Sequence, residues 1–110
     1  MLDTDRAREQ FRRDGVVHLP GFLSRAEIDE LDENLSRYIA DVVPTVPPAD
    51  AFYEVVGDRR ALKQMQRITD HDAYFDELRR RPKYVQLAEL LLEGPVRSEG
   101  VEWFNKPAEI

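Results

Sequence analysis

The 110-residue sequence predicts an α+β fold, in which helices lie against the first strands of an antiparallel sheet. Three observations carry this expectation. A capping signal at Ser24 opens a long stretch with apolar residues at helical spacing, and a second apolar helical stretch runs from Pro82 to Gly94-Pro95. Short β-prone runs bounded by proline and glycine lie before, between and after them. With 42% hydrophobic and 35% charged residues, the chain has the makings of one modest core rather than of disorder, so residues 1–110 are expected to form a single domain.

The elements follow in order. Thr4 as a cap, Asp5 in the first turn and Gly15 as a stop predict a helix over Thr4–Asp14, with Ala7 and Phe11 as a narrow stripe and Phe11 as its main anchor. Residues 16–19, Val-Val-His-Leu, read as a strand closed by a Pro20-Gly21 turn. Ser24 and Glu27 form a capping box, with Leu23 and Ile28 placed as a hydrophobic staple. Ile28, Leu31, Leu35, Tyr38, Ile39 and Val42 then mark one helical face, expected to pack on a sheet, and the prolines of 44–48 require a loop. Residues 52–56 and 61–68 read as a hairpin around Gly57-Asp58, although 61–68 also holds good helix formers. Asp70 is expected to cap a helix over 70–80 that turns Tyr74, Phe75 and Leu78 inward. Pro82 opens a helix over 82–92 with a broad apolar face. Residues 96–106, with Val101, Trp103 and Phe104, read as a strand bent at Gly100.

Composition excludes several classes of function. There is no cysteine, so neither a disulfide framework nor a thiolate metal site can form. The N-terminus carries no apolar signal stretch and no run approaches a membrane span, which leaves the cytoplasm as the expected location. Sixteen basic against 22 acidic residues give a net charge of −6, which disfavours a nucleic-acid surface. The run Arg79-Arg80-Arg81 reads instead as cations at a helix C-terminus. His18 reads as a half-buried or solvent-facing strand residue and His71 as part of a surface capping region, neither of them a metal ligand.

Three segments in order, FRRDGVVHLPGFLSRAEIDEL from Phe11 to Leu31, LKQMQRI from Leu62 to Ile68 and VEWFNKP from Val101 to Pro107, resemble the N-terminal half of the phytanoyl-CoA dioxygenase family. The resemblance spans most of the chain, from about Arg8 to Pro107, and its most specific part is Asn105-Lys106-Pro107 behind an aromatic strand. It implies the first strands of an incomplete double-stranded β-helix, a jelly-roll or cupin-like barrel, backed by helices. It also implies iron(II) held by a His-x-Asp pair and a distant histidine, with 2-oxoglutarate as co-substrate. The His-x-Asp pair is expected shortly after Pro107, beyond Ile110. Neither His18 nor His71 has an aspartate two residues later, so no triad carries over onto this sequence.

Period-two geometry puts Glu102, Phe104 and Lys106 on one face of the closing strand and Val101, Trp103 and Asn105 on the other. By resemblance, Glu102 and Phe104 line the pocket for 2-oxoglutarate and substrate, with Lys106 at its rim. Gln64 is a further candidate, because an amide can hydrogen-bond a carboxylate without a change of protonation. The plainer alternative makes Trp103 and Phe104 core on either side of the sheet and leaves Glu102 and Lys106 in solvent. The resemblance thus implies part of an oxygenase acting on a small organic substrate, with this segment supplying scaffold and one pocket wall. Iron(II) and 2-oxoglutarate are expected in the full-length protein and neither is expected to bind tightly to this chain alone. The alternative is a non-catalytic binding or interaction module of the same fold. If the chain exists alone, its open sheet edges would favour self-association.

Overall fold

The computed structural model describes residues 3–53 and 62–105. Helix α1 spans Thr4–Asp14 as the sequence suggests, but its cap is Asp3 and not Thr4: the Asp3 carboxylate accepts the Arg6 backbone N–H at 3.1 Å. Gly15 ends it in the left-handed region, returning its N–H to the Phe11 carbonyl at 2.8 Å. Ala7 rather than Phe11 is the buried residue, and its small side chain suits the close approach of α1 to helix α5 (Pro82–Leu92). Arg8 Nε donates to the Leu90 carbonyl at 3.2 Å, and Arg12 pairs with Glu93.

The strand expected at residues 16–19 does not form. Its β-branched residues have the right propensity, but propensity produces a strand only beside a partner edge, and among the described residues none pairs with it. The turn that follows is as expected: Phe22 N–H reaches the Leu19 carbonyl at 3.1 Å and Gly21 takes φ 75°.

Both halves of the capping box open α2 (Arg25–Arg37), with Glu27 N–H to Ser24 Oγ at 3.1 Å and Ser24 N–H to Glu27 Oε1 at 2.9 Å. The helix continues as a π-turn at Tyr38–Val42 and a 3-10 turn at Val43–Thr45. Pro44 cannot donate to a carbonyl one turn back, so the α pattern stops ahead of it. Of the predicted stripe Tyr38 is fully buried, while Leu31, Leu35, Ile39 and Val42 pack on the core more loosely and Ile28 is exposed.

The sheet is antiparallel and three-stranded, in the order β1 (Ala51–Tyr53), β2 (Leu62–Met65), β3 (Trp103–Phe104). The predicted pairing of the first two runs holds, although residues 54–56 and the Gly57-Asp58 turn lie outside the described residues. The second run is shorter than expected. Arg67 takes the left-handed conformation at φ 53°, and Ile68 opens a short helix, α3 (Ile68–His71). The single helix expected over 70–80 is divided by Asp72, which is extended and caps α4 (Ala73–Leu78) by accepting the Phe75 N–H at 3.3 Å, a role the sequence reading gave to Asp70. The strand expected over 96–106 shrinks to β3, since Arg79 Nη1 holds the Ser98 carbonyl at 3.3 Å and ties the preceding segment to the end of α4 instead of to a strand.

Tyr38, Met65 and Ile68 are the largest fully buried side chains, joined by Phe75, whose ring meets Tyr38 edge-on at 5.7 Å. Helix α5 buries no residue fully and leaves Leu92 62% exposed, so the face expected to be core lines an open groove. No helix among the described residues is long and apolar enough to cross a membrane. The Tyr38 hydroxyl has no hydrogen-bond partner among the described residues. An unpaired buried hydroxyl is costly, so Tyr38→Phe is expected to raise the unfolding free energy by about 1 kcal/mol in urea titrations. A loss of stability would mean that the hydroxyl is bonded to an ordered water.

Candidate functional site

Residues directly opposite one another in a ladder project to the same face of a sheet. Ala51 pairs with Met65 and Met65 with Trp103, which makes an inner row lying on the helical core. Phe52 pairs with Gln64 and Gln64 with Phe104, which makes an outer row. Both phenylalanines of that row are open to solvent, at 57% and 66% exposure. The Gln64 amide therefore stands between two exposed aromatic residues on the uncovered face of the sheet.

A bulge makes this two-sidedness possible. Phe52 faces Gln64 and Tyr53 faces Leu62, so Lys63 is the extra residue in β2. It resets the alternation and lets Leu62 and Met65 both point to the core while Gln64 points away. Asn105 then secures β3, with its N–H on the Lys63 carbonyl at 2.8 Å and its side-chain amide on the Leu62 carbonyl at 3.3 Å.

No family model, curated protein or solved structure matches the chain. Among the sequence-nominated residues the structure brings Gln64 and Phe104 together in register and adds Phe52 to them. Phe52 was missed because only the register shows which residue of β1 stands beside Gln64. Glu102 precedes β3, is exposed, and lines a separate small cleft with Arg67, Thr69 and Asp70. Lys106 lies outside the described residues.

A charged clamp closes the end of the hairpin at Asp50, which is only 6% exposed. Its Oδ1 accepts from Arg67 Nε at 2.6 Å, and its Oδ2 lies 2.6 Å from His71 Nε2. The Asp50 carbonyl also accepts the Gln66 N–H at 3.0 Å, which extends the β1–β2 ladder by one bond. The hydrogen bond from His71, followed by that from Arg67, holds the Asp50 carboxyl below its ordinary value. His71 is thus a partly buried partner of Asp50 rather than a surface capping residue, and His18 is exposed but not in a strand. No local signal links residues 50 and 71, which only tertiary folding brings together.

These groups do not make an iron site. Among the described residues no three His, Asp or Glu side chains converge where a metal could sit. Arg67 already occupies the Asp50 oxygen that a cation would need, so the described residues do not fit the implied iron.

Two further carboxylates tie helices together. Burial penalises the charge of Asp72, but the paired bonds from Arg37, both at 2.9 Å, and the Phe75 N–H outweigh it, so its carboxyl titrates below the ordinary value. Glu27 is lowered to about 2, first by the bond from Lys83 at 2.7 Å and then by the Ser24 N–H. Each of these groups binds its proton less readily in the folded state. The stability they contribute is complete above the ordinary carboxylate range and is lost as pH falls toward the folded values. Urea midpoints are therefore expected to hold down to about pH 5 and then to decline steadily, with Glu27→Gln flattening the decline. An unchanged slope in that variant would remove Glu27 from the account.

Proposed function

We propose that the chain is the scaffold part of a non-haem iron(II), 2-oxoglutarate-dependent dioxygenase similar to the phytanoyl-CoA dioxygenase family, and that Phe52, Gln64 and Phe104 form one wall of its pocket. The observation that carries the reading is the two-faced sheet: its inner row is backed by helices and its outer row is open. Such a sheet is suited to be one wall of a barrel, with the outer row facing the barrel interior. Among the described residues its edge strands β1 and β3 each pair on one side, and the other side could accept further strands. The Gln64 amide can donate to a carboxylate of 2-oxoglutarate while the two phenyl rings exclude water from an organic substrate. The reaction class is oxidation of a small organic substrate coupled to decarboxylation of 2-oxoglutarate to succinate and carbon dioxide. Iron ligands would come from a His-x-Asp pair encoded beyond Ile110.

The decisive measurement is succinate formation with iron(II) and 2-oxoglutarate. The 110-residue chain is expected to give none above a no-enzyme control, and the chain extended through the downstream His-x-Asp pair is expected to give it. Turnover by the short chain would overturn the division of labour, and a reading frame with no such pair would overturn the oxygenase assignment. The second reading, a binding module without catalysis, is favoured by the exposure of Phe52 and Phe104, which can hold an organic ligand with no metal present. A stop codon directly after Ile110 would select it.

A further inference from the structure

The helical side of the molecule carries a second candidate site, which shares no residue with the outer row of the sheet. A cleft of about 570 Å3 opens between α1, the turn before α2 and the first turn of α5. Arg6 and Gln10 from α1, His18 and Phe22 from the turn, and Lys83 from α5 converge on it, over a floor that includes the buried Ala7. The turn is shaped for this. Gly21 takes φ 75° in this turn, the Phe22 ring centroid lies 4.8 Å from the Lys83 ammonium, and that ammonium also donates to Glu27 at 2.7 Å.

Arg6 is the telling residue. Arg8, Arg12, Arg13, Arg25, Arg37, Arg67, Arg79, Arg80, Arg81 and Arg97 all make ion pairs, and among the described residues Arg6 is the one arginine whose guanidinium has neither an ion pair nor a hydrogen bond. In a chain of net charge −6, acidic partners are plentiful, and yet Arg6, which lines this cleft, has no ion-pair partner among the described residues. The carboxylate in the lining, Asp3, is turned to the α1 backbone as its cap. A guanidinium presents a planar fork matched to a carboxylate, and a neighbouring ammonium adds a second point charge.

We propose that this cleft binds a small amphipathic organic anion. Arg6 and Lys83 hold its carboxylate, Gln10 and His18 contribute hydrogen bonds, and the apolar body rests against Phe22, Leu19 and Ala7. Both requirements belong to the site: the cations select the head and the apolar floor selects against an anion that has no tail.

The test is a nuclear magnetic resonance titration of the folded chain with octanoate, acetate and octylammonium. Octanoate is expected to shift the amides of Gln10, His18, Gly21 and Phe22 saturably, with acetate much weaker and octylammonium without effect there. Arg6→Gln removes a guanidinium that makes no hydrogen bond or ion pair among the described residues, and Gln10→Glu places a negative charge one helical turn from it, so neither should disturb the fold. Each is expected to weaken octanoate about tenfold, the loss that accompanies removal of one charge-assisted hydrogen bond. Equal shifts with octylammonium, undiminished binding in Arg6→Gln, or shifts confined to the groove around Val85 and Leu92 would each overturn the proposal.

Discussion

Asp50→Ala is expected to lower the midpoint of thermal unfolding by about 10 °C. The reason lies in what Asp50 holds. Its side chain binds Arg67 and His71 at once, and Arg67 sits in a left-handed conformation that a residue with a Cβ adopts only when its surroundings impose it. Without the carboxylate, that conformation loses its tether and two cationic or polar side chains lose their partner. Arg67 is half exposed and can be hydrated, which limits the damage. Asp50→Asn keeps the shape but not the charge, and is expected to show most of the same loss. Hydrogen exchange at Gln66 and Met65 should accelerate in both variants, since those amides lie where the hairpin is clamped. A midpoint within about 2 °C of the parent would show that solvent screens the clamp.

The second large effect distinguishes the faces of the sheet. Met65 is fully buried in the inner row, and Met65→Ala leaves a cavity that the surrounding side chains can close only in part, so unfolding free energy is expected to fall by about 3 kcal/mol. Phe104 lies on the adjacent strand, in the outer row, and Phe104→Ala is expected to change stability by less than about 0.5 kcal/mol. Denaturant titrations of the two variants therefore report the orientation of the sheet directly. Comparable losses in both would mean that the outer row is covered and that no open wall exists.

Local chemistry was legible where a structure is closed by neighbours in sequence. The Ser24–Glu27 box, the Gly15 stop, the Pro20-Gly21 turn and the helix opening at Pro82 all form as read, because their hydrogen bonds or backbone preferences involve residues at most four apart. The misread strands and the unexpected helix break share the opposite property. Residues 16–19 have strand propensity without a partner, and the segment before β3 is drawn to Arg79. The break at Asp72 is stabilised by Arg37, 35 residues away. The candidate wall shows the same division: Phe104 was nominated through the resemblance and Gln64 through its amide, whereas Phe52 joined them only through register.

The sequence by itself determined an α+β chain, the positions of its three substantial helices, the pairing of two strands and an overall negative charge. Those properties follow from spacing, capping and composition, which act over a few residues. Tertiary structure alone decided which sheet face stays open, that Asp50 meets His71 and Arg67, and that Arg6, beside a cleft, has no ion-pair partner among the described residues. Each depends on groups separated by many residues, whose meeting is set by the competition among possible contacts in the folded chain and not by any local pattern.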